Sequence, residues 1–92
     1  MTRSELPTEP EMELTSQRRD QALRLWREHH RIPEGLGGIL EGVVHGYHGS
    51  ALAARLGIRP DSLPELELAF SVRMGQSVYE AASDILNAAY TP

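Results

Sequence analysis

Glycine recurs at every fourth residue through an otherwise apolar stretch, PEGLGGILEGVVHGYHGSALAARLG at residues 33–57, and that limits what can pack against it. At 100° per residue the stretch sorts into three sectors. Leu36, Ile39, Leu40, Val43, Val44, Tyr47, Ala51 and Ala54 form an apolar face. Gly38, Gly42, Gly46 and Ser50 step by four, with Gly49 and Ala53 beside them, as a stripe almost without side chains. Glu41, His45 and His48 share an arc of about 60° on the third side. A glycine inside a helix costs about 1 kcal/mol relative to alanine. Gly38, Gly42 and Gly46 therefore need compensation, and close helix–helix approach is what such small-residue stripes permit. Pro33 suits a first-turn position, Glu34 complements the helix dipole and Gly57 suits the C-terminal cap. A helix over 34–57 follows. The alternative is a loop at Gly35–Gly38 with the helix starting near Ile39.

Upstream, a first helix is expected over residues 15–31, capped by Thr15 or Ser16 and stopped by Ile32-Pro33. Its apolar face is thin: Ala22, Leu23 and Trp26, with Leu25 to one side. Trp26, the only tryptophan, is its natural anchor. Arg18, Arg19, Arg24, Arg27 and Arg31 outnumber Asp20 and Glu28, so this helix is locally basic: a solvated face that pairs with the acidic remainder of the chain, with a site for phosphate or an acidic partner as the alternative. Residues 1–14, with Glu5, Glu9, Glu11, Glu13, Pro7 and Pro10, read as a flexible acidic arm that a protein partner could also engage. Residues 15–92 then form a single helical domain.

Downstream, Ile58-Arg59-Pro60-Asp61 reads as a turn and Ser62-Leu63-Pro64-Glu65 as a capping box. From Leu63 the positions 63, 66, 70, 74, 78, 81, 85 and 88 stay in phase, which predicts one long helix over 62–90, with a kink at Met74-Gly75 as the alternative. A second apolar seam, Leu68, Val72, Gly75, Tyr79, Ala82 and Leu86, runs on nearly the opposite side. A helix apolar on two faces must be covered on both. The first two helices cover one, so a second chain is expected on the other. The reading is an all-α, three-helix chain forming an intertwined helical homo-oligomer through Leu68, Val72, Tyr79 and Leu86 and through the Gly38, Gly42, Gly46 face.

Composition supports that expectation. A core of 92 residues is marginal alone, and with no cysteine only a histidine/carboxylate metal site or oligomerisation remains to reinforce it. The formal charge of −4 makes nucleic acid an unexpected partner. The first residues, MTRSELPTEPEMEL, lack an apolar signal core, and Glu41, His45, His48 and Arg55 interrupt the glycine stretch. A cytoplasmic protein without a membrane span is expected.

Glu41, His45 and His48, at i, i+4 and i+7, supply two imidazoles and a carboxylate, a donor set that suits zinc or non-haem iron. His29 and His30 could complete such a site. The competing reading is an ordinary Glu41–His45 surface pair, with His29 and His30 as partners of the helix dipole. No activated-nucleophile or phosphate-loop motif occurs in the sequence.

Two resemblances bear on function. Ala51-Leu52-Ala53-Ala54-Arg55-Leu56-Gly57-Ile58 with Pro60-Asp61-Ser62-Leu63 resembles the first helix and turn of a helix-turn-helix module. The following segment, Leu63 to Phe70, presents Glu65 and Glu67 and no basic residue, which phosphate repulsion disfavours. Gly57, Leu63, Gly75 and Ala82 fall where carboxymuconolactone decarboxylase/alkylhydroperoxidase D-like proteins place glycine, an apolar residue, glycine and alanine, so residues 42–90 resemble that family. The resemblance implies an all-helical obligate oligomer. Where the family's peroxidase branch carries C-x-x-C-x-x-x-H, this chain reads Gly42-Val43-Val44-His45-Gly46-Tyr47-His48-Gly49. His45 takes the second cysteine's place and His48 precedes the family's histidine by one residue. With both cysteines missing, thiol peroxidase chemistry does not carry over, and acid/base work by His45 or His48 is what the resemblance leaves. The leading expectation is a non-catalytic oligomeric interaction protein, followed by a metal-binding helical protein and a decarboxylase-like enzyme, with DNA binding last.

Overall fold

A computed structural model describes the backbone of residues 9–90 and the side chains of residues 15–90. These residues are all-α: α1 (Glu9–His30), α2 (Gly37–Val44), α3 (Gly49–Leu56), a 3-10 turn (Pro60–Ser62), α4 (Leu63–Met74) and α5 (Val78–Tyr90). No strand occurs among the described residues. Helix α1 ends at His30, as Ile32-Pro33 predicts, with Arg31 in the left-handed region at φ 50°. Its start is a correction to the expected cap at Thr15 or Ser16. It begins at Glu9, with Pro10 in the first turn, where a missing N–H breaks no helical hydrogen bond. Residues 9–14 of the expected acidic arm are thus helical, and 1–8 lie outside the described residues.

Two predicted helices are each broken in two. The expected 34–57 helix is replaced by α2 and α3, because Gly46 adopts φ +90° and closes α2. Its N–H donates to the Val43 carbonyl at 3.0 Å and the Tyr47 N–H to the Gly42 carbonyl at 2.9 Å, the paired bonds of a Schellman ending. Pro33–Leu36 is a turn, closed by the Leu36 N–H on the Pro33 carbonyl at 3.1 Å, so the helix starts later than Pro33 suggested. The expected 62–90 helix stops at Gly75, φ +75°, whose N–H donates to the Ser71 carbonyl at 2.9 Å. Helix α5 then restarts on a reciprocal cap. The Glu80 N–H donates to the Ser77 hydroxyl at 3.0 Å and the Ser77 N–H to a Glu80 carboxylate oxygen at 3.2 Å. The capping box expected at Ser62–Glu65 does not form, since Ser62 makes no side-chain cap bond. Gly57 closes α3 as predicted, at φ 71°.

Eight-residue helices such as α2 and α3 are not stable alone, so burial must hold them. Helix α5 is the hub, packing on α1, α2 and α4. Ile39, Leu40, Val43 and Val44 of α2, Leu52 of α3, Leu63 and Phe70 of α4, and Val78, Ala81, Ala82 and Ile85 of α5 close one core with Leu23 and Trp26 of α1. Trp26 anchors α1 as expected, its ring 6.4 Å from that of Phe70 and nearly parallel to it. Each fully buried side chain of this size contributes about 1.5–3 kcal/mol. Two glycines of the stripe pack within the chain, while Gly46 has open space beside it. A Cβ on Gly42 would sit 2.4 Å from Leu52 Cδ1, and one on Gly38 3.3 Å from Leu56 Cδ2, so bare backbone lets α3 fold back onto α2.

Candidate functional site

Breaking the glycine stretch separates the three residues expected to share one helical face. Glu41 lies in α2, His45 caps its C-terminus, and His48 stands in extended backbone before α3. The Glu41 carboxylate lies between Arg27 of α1 at 3.9 Å and Arg55 of α3 at 3.7 Å, tying three helices together at a half-exposed position. Arg55 also covers the Tyr47 ring, 4.6 Å from its centroid. His45 Nε2 lies 3.3 Å from Asp20 Oδ1 on α1. His48 is exposed, and its carbonyl accepts the Leu52 N–H at 3.2 Å. His29 and His30 sit in the last turn of α1. His30 stacks on Trp26 with centroids 3.8 Å apart, its Nδ1 3.0 Å from the Trp26 carbonyl oxygen, and His29 meets it edge-on. Among the described residues no three His, Asp or Glu side chains are grouped to hold a metal ion. A groove between α1 and α2, lined by Asp20, Arg24, Arg27, Glu28, Glu41 and His45, pairs acids with bases and leaves neither sign in clear excess.

The most unusual surface is on α4. This helix turns Leu63, Leu66, Phe70 and Met74 inward and Glu65, Leu68, Ala69, Val72 and Arg73 outward. Leu68 is 65% exposed and Val72 78%, and Tyr79 at the start of α5 is 43% exposed. The break at Gly75 redirects the rest of the predicted seam. Ala82 is buried and Leu86 packs against the core, so the seam expected through residues 68–86 is outward-facing only over Leu68, Val72 and Tyr79. The Tyr79 hydroxyl donates to Glu67, fastening α5 to α4 beside the ridge. That hydrogen bond, with partial burial and the carboxylate's charge, pushes the Tyr79 phenol from 10.0 up to about 12.

Sequence reasoning found Leu68, Val72 and Tyr79 but missed the polar frame around them. Glu65 and Arg73 stand four residues either side of Ala69, and neither is in an ion pair among the described residues. Opposite charges eight residues apart around an apolar i+3, i+4, i+7 set were the available signal. On the helix-turn-helix resemblance α4 would be the reading helix, and its outer face offers phosphate a single arginine beside an acid. No helix among the described residues is long and apolar enough to cross a membrane.

Fold and surface together define a small helical protein with an uncovered apolar ridge. No family model, no curated protein and no solved structure matches the chain.

Proposed function

We propose that this protein is a self-associating helical interaction protein, without catalytic activity of its own, that presents α4 and the start of α5 to a second copy. The observation that carries the reading is the ridge of Leu68 and Val72, 65% and 78% exposed on adjacent turns of one helix, with Tyr79 beside them. Large apolar side chains clustered in this way are retained on soluble proteins where something covers them. The exposed arginines Arg18, Arg24 and Arg31 would offer an acidic protein partner a second surface.

Native mass spectrometry of tag-free protein tests this reading, because it counts subunits and bound metal at once. The expected result is a metal-free oligomer in exchange with the 10.2 kDa subunit. A stoichiometric zinc or iron would overturn the reading in favour of a metal-dependent protein. A metal-free monomer at every concentration would overturn it.

A further inference from the structure

The outer face of α4 has an order of charges that distinguishes one pairing of two copies from another. Along the stripe, Glu65 comes first, then Leu68, Ala69 and Val72, then Arg73. Resting on the self-association reading above, we propose that α4 pairs antiparallel with α4 of a second copy about a twofold axis at Ala69. Glu65 then faces the partner's Arg73, and Arg73 faces the partner's Glu65.

Helical geometry supports the register. Glu65 and Arg73 each lie four residues from Ala69, a rise of about 6 Å either way, so antiparallel helices crossing there bring opposite charges level. Parallel helices would instead set Glu65 beside the partner's Glu65 and Arg73 beside the partner's Arg73. That arrangement is repulsive at both ends. Ala69 at the crossing point allows the axes to approach to about 8 Å, the near limit for packed helices. Val72 of each copy then flanks the crossing, within about 60° of Ala69 round the helix, and Leu68 closes its edge. Both charges are free to pair, since neither is in an ion pair among the described residues.

The size of the face sets the strength. Helix α4 has 12 residues, a length of about 18 Å. Such a contact falls below the roughly 1,200–2,000 Å² of stable interfaces. The dimer is therefore reversible, with a Kd in the micromolar range or weaker, and falls apart on dilution.

Sedimentation velocity across the micromolar range, with charge-reversed variants, tests the register. Glu65→Arg or Arg73→Glu alone places like charges together twice in the twofold dimer and weakens it about 10-fold. The double variant Glu65→Arg/Arg73→Glu restores the pairs in the antiparallel register only, and dimerises within about 3-fold of the wild type. Because the chain has no cysteine, a second readout is clean. Ala69→Cys forms a disulfide-linked dimer under oxidation, whereas Arg73→Cys, far from its own copy across the axis, does not. A wild-type dimer indifferent to the single reversals, or Arg73→Cys crosslinking as readily as Ala69→Cys, overturns the register while leaving self-association standing. Assembly past the dimer overturns it in favour of a head-to-tail contact between acidic and basic faces. A wild-type monomer throughout overturns both.

Discussion

Gly42 decides how closely α3 approaches α2. A Cβ there would lie 2.4 Å from Leu52 Cδ1, and Leu52 is fully buried, so its side chain must turn within the core to admit it. Gly42→Ala is expected to destabilise the chain by about 1–3 kcal/mol, read as a lower urea midpoint at unchanged slope. The glycine spacing announced close packing in the sequence, but not whether the neighbour would be the same chain or another. Tyr79 is the other residue with a sharp signature. Its folded-state pKa of about 12 lies above the ordinary 10.0, so the folded chain holds that proton more tightly than the unfolded one. The resulting stability is fully present below pH 10.0 and fades as pH rises through about 12. Absorbance titration should show a phenol ionising near 12 that disappears in Tyr79→Phe and moves down in Glu67→Gln. An unchanged late titration in both variants would exclude the Glu67 hydrogen bond as its cause.

At the scale of elements, hydrophobic phase predicted which residues face inward better than it predicted where helices end. Leu63, Phe70, Val78, Ala81 and Ile85 were legible as core from spacing and all are buried, whereas Tyr47, Ala51, Ala54 and Ala88, expected on the same apolar faces, are exposed. The phase survives the interruption at Gly75 and so hid it. Periodicity records direction, and a left-handed residue at the correct offset leaves that direction intact. The better signal lay just beyond, in Ser77-Val78-Tyr79-Glu80, which has the same capping-box spacing as Ser62–Glu65 and does form. The Pro60–Ser62 turn leads into α4 with Ser62 already in helical backbone, φ −85° and ψ −14°, which removes the extended geometry a side-chain cap requires. Ser77→Ala should therefore cost about 1 kcal/mol by chemical denaturation. Ser62→Ala should stay within about 0.5 kcal/mol. Equal losses at the two sites would contradict this assignment of caps. The candidate metal face failed to assemble for the same reason the helix did. Glu41, His45 and His48 align only if the backbone stays helical through Gly46, and at φ +90° it does not.

At the scale of the fold, the described residues measure 47 × 29 × 18 Å, and the thin direction accommodates two layers of helices. In such a sheet of helices the hub α5 is covered by α1 and α2, while α4 has the core on one side and solvent on the other. The two-seam pattern was thus legible in the sequence, but only half of it stays exposed once α5 has turned its own second face inward. Replacing Leu68 and Val72 with glutamate touches no core residue and should leave the helical spectrum and the unfolding midpoint of dilute protein unchanged. Sedimentation equilibrium of the wild-type chain, from low micromolar to several hundred micromolar, is the most direct test that α4 is a self-association surface. The weight-average mass is predicted to climb from the 10.2 kDa subunit toward twice that value, with Leu68→Glu/Val72→Glu holding at the subunit mass. A wild-type chain that sediments as a single 10.2 kDa species across the whole range would contradict it.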